Sequence, residues 1–200
     1  MTLLHELFGV LLTSFALNLA PFVGPSNLLI AANAILLVNA DPWMVGVLVA
    51  LGSATAKLLH YVVAFFIRGL VSERRRELLD EVRRRVGRWA FIALYVAAAT
   101  PIPDEPVVIP LGLLRYSPVK FYLTYFFGKL SITVPGAYMG GILKMHFMPL
   151  MGQEAMVIAS IIMTIVITVV LLKIDVNQIM QNIKKRWRAT STRSGAIVPS

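Results

Sequence analysis

The stretch TPIPDEPVVIPLGLLRYSP, residues 100–118, sets two adjacent carboxylates among prolines and then returns to apolar residues. Just before it lies WAFIALYVAAAT, residues 89–100, without a single charge, so Asp104 and Glu105 fall where water is scarce. The rest of the chain explains the setting. With 58% hydrophobic and 14% charged residues over 200 positions, it is too apolar for a water-soluble globule of this size, whose exterior must stay wet. A bilayer is the expected environment. The opening MTLLHELF is acidic ahead of its apolar run and no small-residue cleavage site follows, so a retained first segment is expected rather than a removable signal peptide.

Several chemistries are disfavoured at once. There is no cysteine, hence no disulfide, thiolate metal site or cysteine nucleophile. His5, His60 and His146 lack metal-ligand spacing, and no HExxH, GxSxG or phosphate-binding Gly-rich loop occurs. The expectation is a protein that is not an enzyme, with no cofactor and no metal. The net charge of +9 does not point to nucleic acid, because 13 of the 19 basic residues fall in two segments: seven arginines between 72 and 89, and six basic residues from Lys173 onward. That is the asymmetry of cytoplasmic loops in membrane proteins.

Two segments, 42–70 and 148–172, are long and apolar enough to cross a bilayer, and 118–144 does so if Lys129 is accommodated. The other apolar stretches are interrupted: 3–19 and 27–38 flank LAPFVGPSN, and 89–100 and 107–117 flank PIPDEP. The shorter arms reach only about 16–18 Å, roughly half the hydrocarbon thickness. Proline removes a backbone donor and disfavours helix before it, so both breaks, around Pro25, Ser26 and Asn27 and around Pro101, Pro103 and Pro106, are expected to be non-helical turns at depth. Such backbone needs protein or a wet cavity around it. The reading is an all-α polytopic membrane protein with two re-entrant helical hairpins, each followed by a transmembrane helix, and a C-terminal transmembrane helix.

A repeat supports it. At an offset of 76 residues Pro25 falls on Pro101, Leu37 on Leu113, Pro42 on Pro118 and Gly52 on Gly128. Each unit crosses once, so the second copy is inverted. One membrane domain, 1–172, then divides into repeat 1 (about 3–70), an amphipathic cytoplasmic helix (71–88), repeat 2 (about 89–145) and a last span (148–172), followed by a basic cytoplasmic tail, 173–200, whose end is expected to be disordered. The charge asymmetry orients the chain as a multi-pass plasma-membrane protein with a cytoplasmic C-terminus.

The Pro-rich break, the arm ending Pro110, Leu111, Gly112, then Arg115 to Pro118, Lys120, Phe121 and a glycine in the span resemble the DedA family, also called the VTT or SNARE-associated membrane domain. GPSNLLIAANA, Pro42, Gly52, Tyr61, Arg68 and Gly69 fit the first unit, and the resemblance covers roughly residues 10–145. It implies paired re-entrant hairpins and lipid translocation, of phospholipids or polyprenyl-phosphate carriers, with proton coupling. This chain departs from the family in carrying Ser26 and Asn27 where an acid is common, and Asp104 and Glu105 where Pro-Gly-x-Arg is common.

Depth counting along the helices brings Lys57, Lys129, Asp104 and Glu105 toward mid-bilayer. A lone charge there costs at least about 2.5–3.5 kcal/mol, so these groups are expected to pair, neutralise or face a wet cavity. Two roles stay open: an ion pair with Lys129 that locks the hairpin, or proton exchange as substrate moves. Arg115 is either a snorkelling interfacial arginine or a fork for a phosphate headgroup. Lys57 and His60, one turn apart, could form a basic rung or proton relay. Ser26 and Asn27 are read as turn residues capping the following arm. The partners implied are membrane lipids with anionic phosphate headgroups, with a homo-oligomer allowed. Two alternatives remain: a proton-coupled exporter of small cations, and a non-transporting membrane-organising protein acting through the basic loop and tail.

Overall fold

The computed structural model describes residues 2–21, 24–70, 72–87, 89–101 and 103–194. Seven α-helices follow in order: α1 (Thr2–Leu19), α2 (Asn27–Leu37), α3 (Pro42–Ile67, prolonged by a 3-10 turn, Arg68–Leu70), α4 (Glu73–Val86), α5 (Ala90–Ala99), α6 (Glu105–Leu113) and α7 (Pro118–Ser194). Among the described residues there is no strand, as an all-α fold requires.

The long helices start where local chemistry allows. Asp41 caps α3, its carboxylate accepting from the Trp43 N–H at 2.8 Å, and Pro42 takes the first helical position, where a missing N–H costs nothing. α7 likewise opens on Pro118. Gly152, at φ 76 and ψ 162, interrupts it in a conformation open to glycine. The chain folds back there. Gly140, twelve residues before Gly152, lies against Ala32, and Thr164, twelve after, accepts a hydrogen bond from Asn33. The reversal expected near 145–147 therefore falls at Gly152. The helix also runs on past 172 to Ser194, so the expected disorder from 189 is corrected for 189–194, while 195–200 lie outside the described residues.

The second break is shorter than expected. Glu105 and Pro106 already belong to the first turn of α6, where proline is tolerated, so the interruption ends at Asp104. Pro101 and Pro103 do lie in it, and Pro25 and Ser26 lie in the first.

The helices exchange partners. α1 packs on α3 and α5 on α7, whereas α2 packs on α7 and α6 on α3. Equivalent glycines make the first pair of contacts possible. A Cβ on Gly52 would lie 2.6 Å from the Leu11 carbonyl oxygen of α1, and one on Gly128 2.6 Å from the Ala98 Cβ of α5. Equivalent cations finish the second pair. Arg68 donates to the Leu113 carbonyl at the end of α6 (3.2 Å), and Lys144, at the same 76-residue offset, donates to the Ile35 and Val38 carbonyls at the end of α2 (3.2 and 3.1 Å).

Within a largely apolar core several polar and charged side chains are also buried, and many large apolar ones are exposed. Ser14, Asn18, Asn27, Ser53, Lys57, Asp104, Glu105, Lys129 and Thr133 are buried, while Leu4, Phe66, Leu70, Met145 and Leu150 stand exposed. Among the described residues one helical stretch, Pro42–Leu70, is long and apolar enough to cross a membrane, and shorter apolar helices occur at Leu3–Leu19, Asn27–Leu37, Ala90–Ala99 and Glu154–Val170. The segment 118–144 is diluted by Lys120, Lys129 and Lys144.

Candidate functional site

Three elements meet at the second break. α6 begins with Asp104 as its N-cap and Glu105 in its first turn, so its unpaired N–H groups place the positive end of the helix dipole beside both acids. α3 contributes Lys57, and α7 contributes Tyr125 and Lys129, one turn apart on one face. Asp104 Oδ1 lies 3.3 Å from Lys57 Nζ, and Asp104 Oδ2 lies 2.8 Å from Lys129 Nζ. Lys57 also donates to Glu105, and the Tyr125 hydroxyl donates to Asp104. Lys129 Nζ sits 5.2 Å from the centre of the Tyr125 ring. Asp104 does not cap the helix through its side chain, which turns to the lysines.

The four charged side chains are each 4–5% exposed and sum to zero. Desolvating them costs several kcal/mol per ion, offset here by mutual attraction, the tyrosine and the helix end (about the order set by buried pairs). The lysines and acids thus meet as depth counting suggested. They do so with their side chains buried. A groove of about 440 Å³ exists elsewhere, between α1, α2 and the arm of α7 after Gly152, lined by apolar residues with Glu6, Thr13, Asn33 and Thr164.

The first break holds a neutral counterpart. Asn18 and Asn27 form a reciprocal amide pair across it, Asn18 Nδ2 donating to Asn27 Oδ1 (2.9 Å) and Asn27 Nδ2 to Asn18 Oδ1 (3.0 Å). Ser53 of α3 donates to Asn18 Oδ1 at 3.1 Å, and Ser14 to the Val49 carbonyl at 2.7 Å. Ser26 is the N-cap of α2 by backbone but makes no side-chain cap, and Asn27 spends its amide on Asn18; the capping roles expected of both are corrected.

Two further expectations change. His60 turns away from Lys57, its Nε2 meeting the Leu19 carbonyl at 2.9 Å, so the two form no rung: residues three apart diverge when one side chain is drawn to α1 and the other to α6. Arg115 is exposed and takes a φ of 50° just past the end of α6, the position in a Schellman turn that glycine usually fills. Its guanidinium stacks 4.9 Å from the centre of the Phe65 ring, and it lies about 15 Å along α6 from Glu105.

Sequence reasoning passed over Asn18 and Ser53, and read Tyr125 as a residue packing between helices or facing lipid. Asparagines on both sides of a break, and a serine and a tyrosine each four residues before a lysine, were the signals available.

Apolar at its surface, with polar side chains and paired charge buried in its apolar core, this helical chain has the make-up of a membrane-embedded protein. The family model of the VTT domain matches residues 24–142, more than half the chain, and the protein belongs to that family, the DedA or SNARE-associated domain of the resemblance above. Comparison with curated proteins and with solved structures finds no match. Family membership indicates a role related to membrane transport.

Proposed function

We propose that the protein moves phosphate-bearing lipids, phospholipids or polyprenyl phosphates, between leaflets with proton coupling, as a multi-pass plasma-membrane protein. The observation that carries this is Asp104 held between Lys57 and Lys129 at the tip of α6. The two lysines are the cations that meet there, and the acids already occupy them. An entering headgroup therefore has to displace a carboxylate. Once displaced in a dry site, that carboxylate is favoured protonated, and one proton taken up per headgroup charge keeps the cluster neutral. Proton binding and headgroup binding thus become one exchange, with the lipid tail left in the bilayer. Access requires the α6 tip to withdraw from α3 and α7, and Arg115 offers a fork for a phosphate before that step.

The arrangement proposed is an inverted repeat of two re-entrant hairpins. It is supported by the exchanged packing of α1, α2, α5 and α6, and by the equivalence of Gly52 with Gly128 and Arg68 with Lys144. In this reading α2 and α6 point their N-termini at mid-membrane, as broken transporter helices do. The arginine-rich α4 faces the cytoplasm, and so does the C-terminus.

The test is transbilayer movement of a labelled polyprenyl phosphate, a phospholipid and an uncharged lipid in proteoliposomes at two pH values. Wild type should accelerate the phosphate lipids, Asp104→Asn should remove the pH dependence, and Arg115→Ala should slow entry more than Arg115→Lys. Equal acceleration of the uncharged lipid, or none of any lipid, would overturn the proposal. A second reading, export of small cations against protons, draws on the acidic character of the same tip; cation-dependent proton flux in the same vesicles separates it from the first.

A further inference from the structure

Among the described residues, α4 packs closely along none of the other helices. Two contacts hold it to the end of α3. Asp80 accepts from Arg68 at 2.7 Å, and Arg76 donates to the Gly69 carbonyl. Residues 76 and 80 are one turn apart, so they mark the side of α4 that is turned to the bundle.

The rest of its circumference is sorted by charge. At about 100° per residue, Leu78, Leu79 and Val82 fall within one arc of roughly 100°. Arg74 and Arg85 border that arc on one side, Arg83 borders it on the other, and Arg75 stands inside it. Glu73, Glu77, Asp80 and Glu81 all fall on the opposite side, so no acid of α4 stands in the apolar arc. Leu78 and Val82 are 58% and 44% exposed, and the four arginines around them are exposed as well. Arg85 meets Glu81 at 2.8 Å across the border, in a pair open to water and therefore weak.

The connections fix the level at which this face lies. Two residues, 71–72, separate α4 from the end of the 3-10 turn, and three, 87–89, separate it from α5. Tethers that short keep a helix about 21 Å long at the level where α3 ends and α5 begins. Leu70 and Trp89 stand exposed there at its two ends. Water would suit the arginines and leave Leu78 and Val82 uncovered, whereas a neutral apolar groove would cover those two and strand the arginines. A layer of anionic headgroups over hydrocarbon satisfies both, since apolar side chains sink to the acyl boundary while arginines reach the phosphates.

We propose that α4 is a docking surface for anionic phospholipids of the surrounding membrane, with Leu78 and Val82 entering the headgroup layer and Arg74, Arg75, Arg83 and Arg85 binding its phosphates. The contact is made at the membrane surface and is independent of lipid movement through the protein. Arg68, which joins Asp80 to the Leu113 carbonyl, sets this surface against the end of α6.

The test is hydrogen exchange of residues 73–86 in the full chain, reconstituted in nanodiscs of phosphatidylcholine alone and of phosphatidylcholine with phosphatidylglycerol. Exchange should be slower in the anionic discs, and the difference should collapse at about 1 M salt, where the screening length is about 3 Å. An arginine at an anionic surface is worth roughly fivefold in binding, so Arg75→Gln should cut the slowing by about that factor. Arg84→Gln removes the same charge from the side that carries the acids and should leave the slowing near that of wild type. Both arginines are exposed, so neither change disturbs packing. Equal exchange in the two kinds of disc, or equal loss in Arg75→Gln and Arg84→Gln, would overturn the proposal. Slowing by added polyglutamate and not by anionic lipid would assign the face to an acidic protein and overturn it too.

Discussion

The two breaks occupy equivalent places in the chain and use different chemistry to do the same structural work. The first is closed by two asparagines that satisfy each other, and the second by two carboxylates that need lysines from α3 and α7. A neutral amide pair satisfies itself across the ends of α1 and α2, with a single hydroxyl, that of Ser53 on α3, added to it. An acid pair does not, and it ties α6 to both long helices. Charge thus makes the second break the one whose stability depends on the whole bundle, and the one able to respond to a proton or an anion.

The comparison predicts unequal sensitivity. Removing one partner of the charged cluster, as in Lys129→Ala, should destabilise the protein by about 3–5 kcal/mol, because two buried acids are left to share Lys57 and one negative charge is uncompensated. Pairing the change with Asp104→Asn should recover much of the loss. Thermal unfolding in detergent reads both, and equal instability of the single and double variants would break the argument. Opening the neutral break by Asn27→Ala should cost less, about 1 kcal/mol, in line with hydrogen bonds between membrane helices, and the same unfolding assay ranks it. A larger effect than that of Lys129→Ala would reverse the order of the two breaks.

The smallest effect lies outside the membrane. Asp80 of α4 accepts from Arg68 at 2.7 Å, and this hydrogen bond holds its carboxyl below the usual value, with partial burial opposing and the charges of Arg68, Arg83 and Arg84 assisting. A folded-state pKa below the unfolded one stabilises the docked helix above the unfolded value, about 3.9, and the contribution disappears as pH falls through the lowered value. Hydrogen exchange of α4 should therefore quicken on acidification in wild type and be already quick, without that pH dependence, in Asp80→Asn. Because Arg68 also binds the end of α6, this contact joins the surface helix to the charged break and has no counterpart at Lys144, which binds Asn39 at 2.9 Å instead.

Much of this was legible without coordinates. Prolines at 25, 42, 101 and 118 marked the breaks and the starts of the long helices, because proline's missing donor acts locally, whatever the tertiary context. The lysines and acids were recognisable as a set, since unpaired charge in an apolar chain has to find a partner. The helical boundaries at Glu105 and Gly152 were less so. Proline is compatible with both a turn and a first helical turn, and a glycine signals a reversal only once its φ is known.

The sequence by itself determined that the chain is helical, membrane-bound, broken twice and charged at its second break, because hydropathy, proline geometry and charge cost act residue by residue. Only the tertiary structure decided that Lys57 turns to the acids while His60 turns to α1, that Asn18 finds Asn27, and that the Tyr125 hydroxyl donates to Asp104. Those choices depend on which helix lies against which face, and the exchange of packing partners between the two halves sets that.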